Sequence, residues 1–190
     1  MTQTRLFTVD VLSEAVALLK RGGVLIVPTD TVYGLVCHPD FPDALERIRQ
    51  MKARDVAKPF QLLAASIDDV QRTGALKTPT AQHYATYWPG ALTLVLETAS
   101  GATEGFRVPD CALLSKLIEA CGGYLRATSV NFSGEPPATS LDCVPEEIQE
   151  AVDLMLDGGR LADGQASAVV RVTPEGEVYV LREGRLTSKV

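Results

Sequence analysis

Short apolar runs constrain this chain more than any other feature. Val24-Leu25-Ile26-Val27, Phe60 to Ala64, Leu92 to Leu96, Phe106 to Val108, Tyr124 to Thr128, Ala168 to Val172 and Val178 to Leu181 have lengths that suit strands and not helices. Between them lie segments of helical spacing. Asp10 is placed to cap a helix with Val11, Leu12, Ala15, Leu18 and Leu19 on one face, closed by Gly22-Gly23. A second helix starts near Asp40 to Pro42, carries Leu45, Ile48 and Met51, and delivers Lys52 and Arg54 at its end. Ser66 with Asp69, and Thr78-Pro79, mark two further helix starts. Asp110 is placed to cap another helix through Leu113, Leu114, Leu117 and Ile118, and the last helix runs from Pro145 to about Leu156. Pro174 to Glu177 turns the chain between the final two strands, a closing hairpin. Helices and strands intermix without a strict βαβ repeat, which predicts an α/β fold on an open, twisted, mixed sheet with flanking helices.

With 190 residues and no repeat, low-complexity tract or linker, residues 1–190 read as a single domain. A chain of this size buries about 70% of its unfolded surface and needs no staples. Hydrophobic residues make up 46% and charged residues 22%, which excludes a disordered or fibrous class. Met1 to Arg5 leads straight into an amphipathic segment, without the apolar stretch of about 7–15 residues that a secretory signal needs. No apolar run reaches the roughly 18 residues of a membrane span. Cys37, Cys111, Cys121 and Cys143 form no C-x-x-C pair. The expectation is a cytoplasmic chain with reduced thiols and no structural metal. A net charge of −6 disfavours a broad surface that tracks nucleic-acid phosphates, while a few local cations are enough for a small anion.

Polar residues gather where the strands end. Pro28-Thr29-Asp30-Thr31-Val32-Tyr33-Gly34-Leu35 places hydroxyls, a carboxylate and a phenol at one rim of a sheet, where ligands of α/β proteins bind; the same residues also make turns that satisfy their own backbone. Lys52-Ala53-Arg54-Asp55-Val56-Ala57-Lys58 holds three cations before a strand, suited to phosphate or simply to a helix C-terminus. Arg107, between Phe106 and Val108, needs an anionic partner if buried, either a substrate carboxylate or an internal acid. Thr128-Ser129-Val130-Asn131-Phe132-Ser133-Gly134 suits presentation of hydroxyls and N–H groups to phosphate or ribose, and suits an ordinary loop equally. Ser167 precedes one strand and Arg182 follows its hairpin partner. There is no P-loop, dinucleotide fingerprint, catalytic triad or H-E-x-x-H element.

Taken in order, PTDTVYGL, KARDVAKPF, WPGALTLVL, FRVP, TSVNFSG, GQASAVV and LREG resemble the YrdC-like threonylcarbamoyl-adenylate synthases, from about Val24 to Arg185. The resemblance implies a YrdC-like sheet with a concave, positively charged cavity. It also implies a nucleotidyltransferase that joins L-threonine, bicarbonate and ATP into threonylcarbamoyl-AMP and pyrophosphate. Other proteins then use that product to modify position 37 of tRNAs reading A-starting codons. Carried over by position, Thr31, Arg107, Ala127 and Ser167 face threonine. Arg54, Lys58, Thr103, Ser129, Asn131 and Arg182 face ATP, and Lys52 and Arg54 serve catalysis. Mg²⁺ is expected to accompany ATP, held by phosphate and water rather than by a protein site. The chain departs from the family pattern at Leu63, where many members have histidine, at Pro137 in place of a serine, and at Arg171 in place of an acid. Two other readings stay open: an RNA-binding module using the same cavity, and a related enzyme that adenylates a carbamoyl group from carbamoyl phosphate.

Overall fold

Every strand among the described residues joins one sheet. The computed structural model describes residues 2–53, 59–162 and 164–185. In chain order they form β1 (Gln3–Leu6), a 3-10 turn (Val9–Val11), α1 (Leu12–Leu19), β2 (Val24–Val27), β3 (Gly34–Cys37), α2 (Pro42–Met51), β4 (Gln61–Ala64), α3 (Ile67–Arg72) and α4 (Pro79–Ala85). There follow β5 (Leu92–Glu97), β6 (Thr103–Arg107), α5 (Ala112–Ala120), β7 (Tyr124–Ser129), a 3-10 turn (Leu141–Cys143), α6 (Glu146–Ala151), β8 (Leu154–Asp157), β9 (Ala168–Val172) and β10 (Val178–Arg182). The ten strands lie in the order β1-β8-β2-β3-β7-β4-β6-β5-β9-β10. The β1–β8, β2–β8, β4–β6 and β5–β9 pairs are parallel and the others antiparallel, so the sheet is mixed as its sequence predicts.

Period-two alternation along the strands sorts the core into layers. Leu25, Val27, Val36, Leu63, Leu125 and Ala127 point to the face covered by α1 and α5, with Ala15, Leu19, Leu114, Leu117 and Ile118 above them. Val24, Ile26, Leu35 and Cys37 point the other way, beneath Ala44 and Ile48 of α2 and Ile148 of α6. On that second face the layer continues through α3 and α4, which cover Leu92, Leu94, Leu96, Phe106, Val170 and Val172. Each Val, Leu, Ile or Phe among them contributes about 1.5–3 kcal/mol by leaving water. The central strands are covered on both sides, which is why they read as continuous apolar runs.

The helix starts expected at Ser66 and Thr78 are present. Ser66 Oγ accepts from Asp69 N at 3.2 Å, and Thr78 Oγ1 from Ala81 N at 3.1 Å with Pro79 in the first turn. Asp10 and Asp110 do not cap. Asp10 sits inside the 3-10 turn that precedes α1, and the residue capping α5 is Cys111, without a side-chain bond. The helix expected from Pro145 to about Leu156 stops at Ala151. Asp153 draws the chain out of it, its N–H donating to Val24 O at 2.9 Å while its Oδ2 accepts from Val24 N at 2.7 Å. Leu154 onward then runs as β8 between β1 and β2. Strands β1 and β3 were likewise not foreseen. All four cysteines carry free thiols. Among the described residues no helix is long and apolar enough to cross a membrane.

Candidate active site

Beyond α1 and α5, over β6, β5 and β9, the first face of the sheet opens into a cavity of about 250 Å³. Its floor comes from the strand positions that alternate with the core: Gln61 of β4, Thr93 and Val95 of β5, Thr103, Gly105 and Arg107 of β6, and Val169 of β9. Its walls are the ends of β7 with Ala127, Thr128 and Ser129, the Thr31-Val32 turn, Ser167 before β9, and Arg182 at the end of β10. Thr31, Thr103, Arg107, Ala127, Ser129, Ser167 and Arg182, all expected at the site, therefore meet in one place. The charged residues among the described lining are Arg107 and Arg182.

Arg107 is 3% exposed and anchors one wall of the cavity. Its Nε donates to Gly90 O at 3.1 Å, Nη1 to Thr31 Oγ1 at 2.9 Å, and Nη2 to Asp30 Oδ1 at 2.5 Å. The internal acid anticipated as one possible partner is thus Asp30, two residues beyond the Pro28 that ends β2. Two of the five guanidinium N–H bonds have no acceptor among the described residues. Burial lowers the Arg107 pKa; the Asp30 carboxylate opposes this and the positive charge of Arg182 adds to it. Two guanidiniums that disfavour each other across a cavity gain from an anion placed between them.

The Pro28 to Leu35 segment divides its work. Thr29 Oγ1 accepts from Thr31 N at 3.0 Å and donates to Val32 O at 2.7 Å, closing the turn that aims Thr31 at Arg107. Tyr33 points to the opposite layer and is fully buried. Its hydroxyl accepts from Gly158 N at 3.0 Å and donates to Gly159 O at 2.8 Å, and burial raises its pKa. Gly158 permits that approach, since a Cβ there would lie 2.7 Å from Pro28 Cγ. Tyr33 therefore locks the turn to the end of β8, whereas Asp30 and Thr31 serve the cavity.

The family model for Sua5, YciO and YrdC proteins, described as telomere recombination, matches residues 17–184. The chain belongs to this family. A threonylcarbamoyl-AMP synthase of Chromohalobacter salexigens is 34% identical over 180 residues, covering 90% of this chain and 96% of that protein. The structure of Escherichia coli YciO matches 100% of this chain and 98% of its own, at 26% identity and a TM-score of 0.85. The Pyrococcus abyssi Sua5 structure complexed with L-threonine has a TM-score of 0.84 at 29% identity. That match covers 97% of this chain and 57% of the Sua5 chain, so the present chain spans little more than half of that relative.

Within the family fold, Lys52 and Asn131 stand apart from the cavity lining. Lys52 is 1% exposed, and its Nζ donates to Ser129 O, to Asn131 O at 2.7 Å and to Asn131 Oδ1 at 2.9 Å. Ser129 Oγ donates to the same Oδ1 at 2.6 Å, while Asn131 Nδ2 donates to Phe132 O and Glu135 O. Both residues shape the loop that carries Ser129. Arg54 and Lys58 lie outside the described residues; Pro59 and Phe60, which follow them, line the cavity. Leu63 is buried among α5 and β7 side chains, Arg171 is exposed and Pro137 half-buried, and none of the three lines the cavity.

Sequence reasoning missed Gln61 and Thr93. Thr93 Oγ1 donates to Gln61 Oε1 at 2.8 Å and lies 2.8 Å from Ser167 Oγ, so the two join Ser167 in one polar row. Their signal was a lone polar residue at an alternating position in an apolar strand. Arg182 closes the row, its Nη2 reaching Ser167 O at 2.8 Å and Ser167 Oγ at 3.3 Å. Gly184 brings Arg182 this close, because a Cβ at 184 would sit 2.3 Å from Ala168 N and 2.5 Å from Ala166 O. Both contacts are backbone and cannot rotate away. Gly184→Ala is expected to cost about 1–3 kcal/mol as Arg182 is pushed off Ser167, and, if Arg182 faces a nucleotide as the sequence resemblance implies, to weaken ATP binding. Thermal unfolding and ATP titration check this, and a variant matching the parent in both would contradict it.

Proposed function

We infer that this chain is an L-threonylcarbamoyl-AMP synthase, a nucleotidyltransferase acting on L-threonine, bicarbonate and ATP. The observation that carries the reading is the meeting of Arg107, Thr31, Ser167 and Arg182 on one cavity: a buried guanidinium with two spare donors, flanked by hydroxyls, faces a second guanidinium. The threonine bound to Sua5 and the synthase naming of the Chromohalobacter relative support it.

The spare N–H bonds of Arg107 suit the threonine carboxylate, and the free lone pair of Thr31 Oγ1 suits its amine. Ala127 and Ser167 complete the amino-acid wall. Thr103, Ser129, Asn131 and Arg182 define the nucleotide side, Asn131 acting through the loop it braces, with Arg54 and Lys58 as further phosphate partners. Lys52 contributes by holding that loop. In the reaction bicarbonate takes up a proton and loses water to give CO2, and the threonine amine then adds to the CO2 carbon, giving a carbamate and releasing a proton. A carbamate oxygen then forms a bond to the α-phosphorus of ATP, and the bond to the β-phosphate bridging oxygen breaks, pyrophosphate leaving with the electron pair. Rate enhancement is assigned to positioning and to cations facing the transferring phosphate. No carboxylate lines the cavity among the described residues, and Asp30 is engaged by Arg107, so these residues form no cage for Mg²⁺. The ion is assigned to the triphosphate, and no step is routed through it.

The product would pass to proteins that build threonylcarbamoyl-adenosine at position 37 of tRNAs reading A-starting codons, in the cytoplasm. The charge of −6 weighs against an RNA-binding module on the same cavity. The test is pyrophosphate release from ATP, Mg²⁺ and bicarbonate with and without L-threonine, with the product identified by mass. Threonine-dependent release with threonylcarbamoyl-AMP is expected. No release from folded protein would overturn the reading, and turnover only with carbamoyl phosphate would favour the related carbamoyl-adenylating activity.

A further inference from the structure

The polarity of the cavity floor is set by Arg182, which can only donate. Its Nη2 gives a hydrogen to Ser167 Oγ at 3.3 Å, and because the Thr93 hydrogen goes to Gln61, the contact of 2.8 Å between Ser167 Oγ and Thr93 Oγ1 takes the Ser167 hydrogen. Thr93 then donates to Gln61 Oε1, also at 2.8 Å. The Gln61 amide lies with its oxygen toward Thr93 and Nε2 turned away from it. Among the described residues nothing accepts from Nε2. Across the cavity the order is similar: Arg107 Nη1 donates to Thr31 Oγ1, Thr31 to Thr29 Oγ1 at 3.0 Å, and Thr29 to Val32 O. Thr31, Thr93 and Ser167 are thereby left with lone pairs alone for a ligand. The donors remaining beside them include two N–H bonds of Arg107, the Nη1 pair of Arg182 toward the nucleotide side, and the amide of Gln61.

An amino acid matches most of this arrangement, its carboxylate meeting Arg107 and its amine meeting the lone pairs of Thr31 and Ser167. What stays unmatched is a donor held ready for an acceptor that is not the carboxylate. A carbamate on the amine supplies one, since its oxygens only accept. Gly105 leaves room for it, because a Cβ there would stand 3.7 Å from Gln61 Cβ and 3.5 Å from Thr93 Cγ2, filling a hollow beside the amide. We propose that Gln61 is a specificity-determining residue whose Nε2 binds a bicarbonate-derived oxygen of the carbamate, leaving the other oxygen for phosphorus. Thr93 is its positioning residue. This rests on the synthase reading above.

Gln61→Met removes the donor at nearly constant volume, and Thr93→Val removes the bond that orients the amide. The measurements are half-saturating bicarbonate in threonine-dependent pyrophosphate release, and L-threonine Kd by calorimetry in bicarbonate-depleted buffer. Gln61→Met is expected to raise the bicarbonate requirement about tenfold or more while threonine Kd stays within about twofold. Thr93→Val should move the same way by less, and it decides the matter if Gln61→Met fails to fold. An unchanged bicarbonate requirement, or an equal rise in threonine Kd, overturns the role of Gln61 and leaves the synthase reading intact. Absence of pyrophosphate release by the wild-type chain overturns both.

Discussion

Arg107→Met is expected to raise the threonine requirement about a hundredfold and to lower stability by about 3–5 kcal/mol. Both effects follow from one geometry. The guanidinium is 3% exposed and Asp30 13%, so removing the cation leaves a nearly buried carboxylate facing an apolar side chain. Gly90 O and Thr31 Oγ1 lose their donors as well. Meanwhile the ligand loses the pair of N–H bonds that no described residue uses, a charge-assisted contact worth about 1.5–3 kcal/mol per bond.

Arg107→Lys separates the two effects. An ammonium keeps the charge beside Asp30 but has three donors at a point rather than five in a plane, and cannot serve Gly90, Thr31, Asp30 and a carboxylate together. Most of the stability should return while threonine binding remains weak. Chemical denaturation and threonine calorimetry on both variants measure this. A methionine variant with the parent's threonine affinity would show that Arg107 exists for Asp30 alone.

Legibility of the fold tracked how strongly each segment was punctuated. β2 stands between Gly23 and Pro28, and β5 follows Trp88-Pro89-Gly90, so both could be read from sequence. β3 was hidden because Gly34 to Cys37 continues without a break from the polar turn before it. β8 was hidden for another reason: Leu154 to Leu156 is apolar and short, compatible with the end of a helix, and the tie between Asp153 and Val24 spans 129 positions. At the site, motifs containing several polar residues led to side chains that line the cavity. Gln61 and Thr93 are single polar residues in apolar strands, and their meaning appears only once β4, β6, β5 and β9 lie side by side. Lys52 shows the converse, a cation grouped by sequence with Arg54 and Lys58 but folded inward onto a loop nearly eighty residues away.

That inward fold makes Lys52→Met the second large effect. Ser129 O, Asn131 O and Asn131 Oδ1 converge on its ammonium; Oδ1 keeps its bond from Ser129 Oγ, while each backbone carbonyl left without a donor and out of reach of water costs about 1–3 kcal/mol. The loop bearing Ser129 should loosen, raising the ATP requirement about tenfold or more with little change in threonine affinity. Direct phosphate contact by Lys52 would also raise that requirement, so the size of the effect cannot discriminate. A double-mutant cycle with Asn131→Ala can. If Lys52 acts by bracing the loop through Asn131, the double variant is little worse than either single one. If it reaches phosphate independently, the two losses in kcat/KM for ATP multiply. Multiplicative losses would return Lys52 to direct contact with nucleotide, and saturation of the effect would leave Arg54 and Lys58 as the cations of that segment to test at the phosphates.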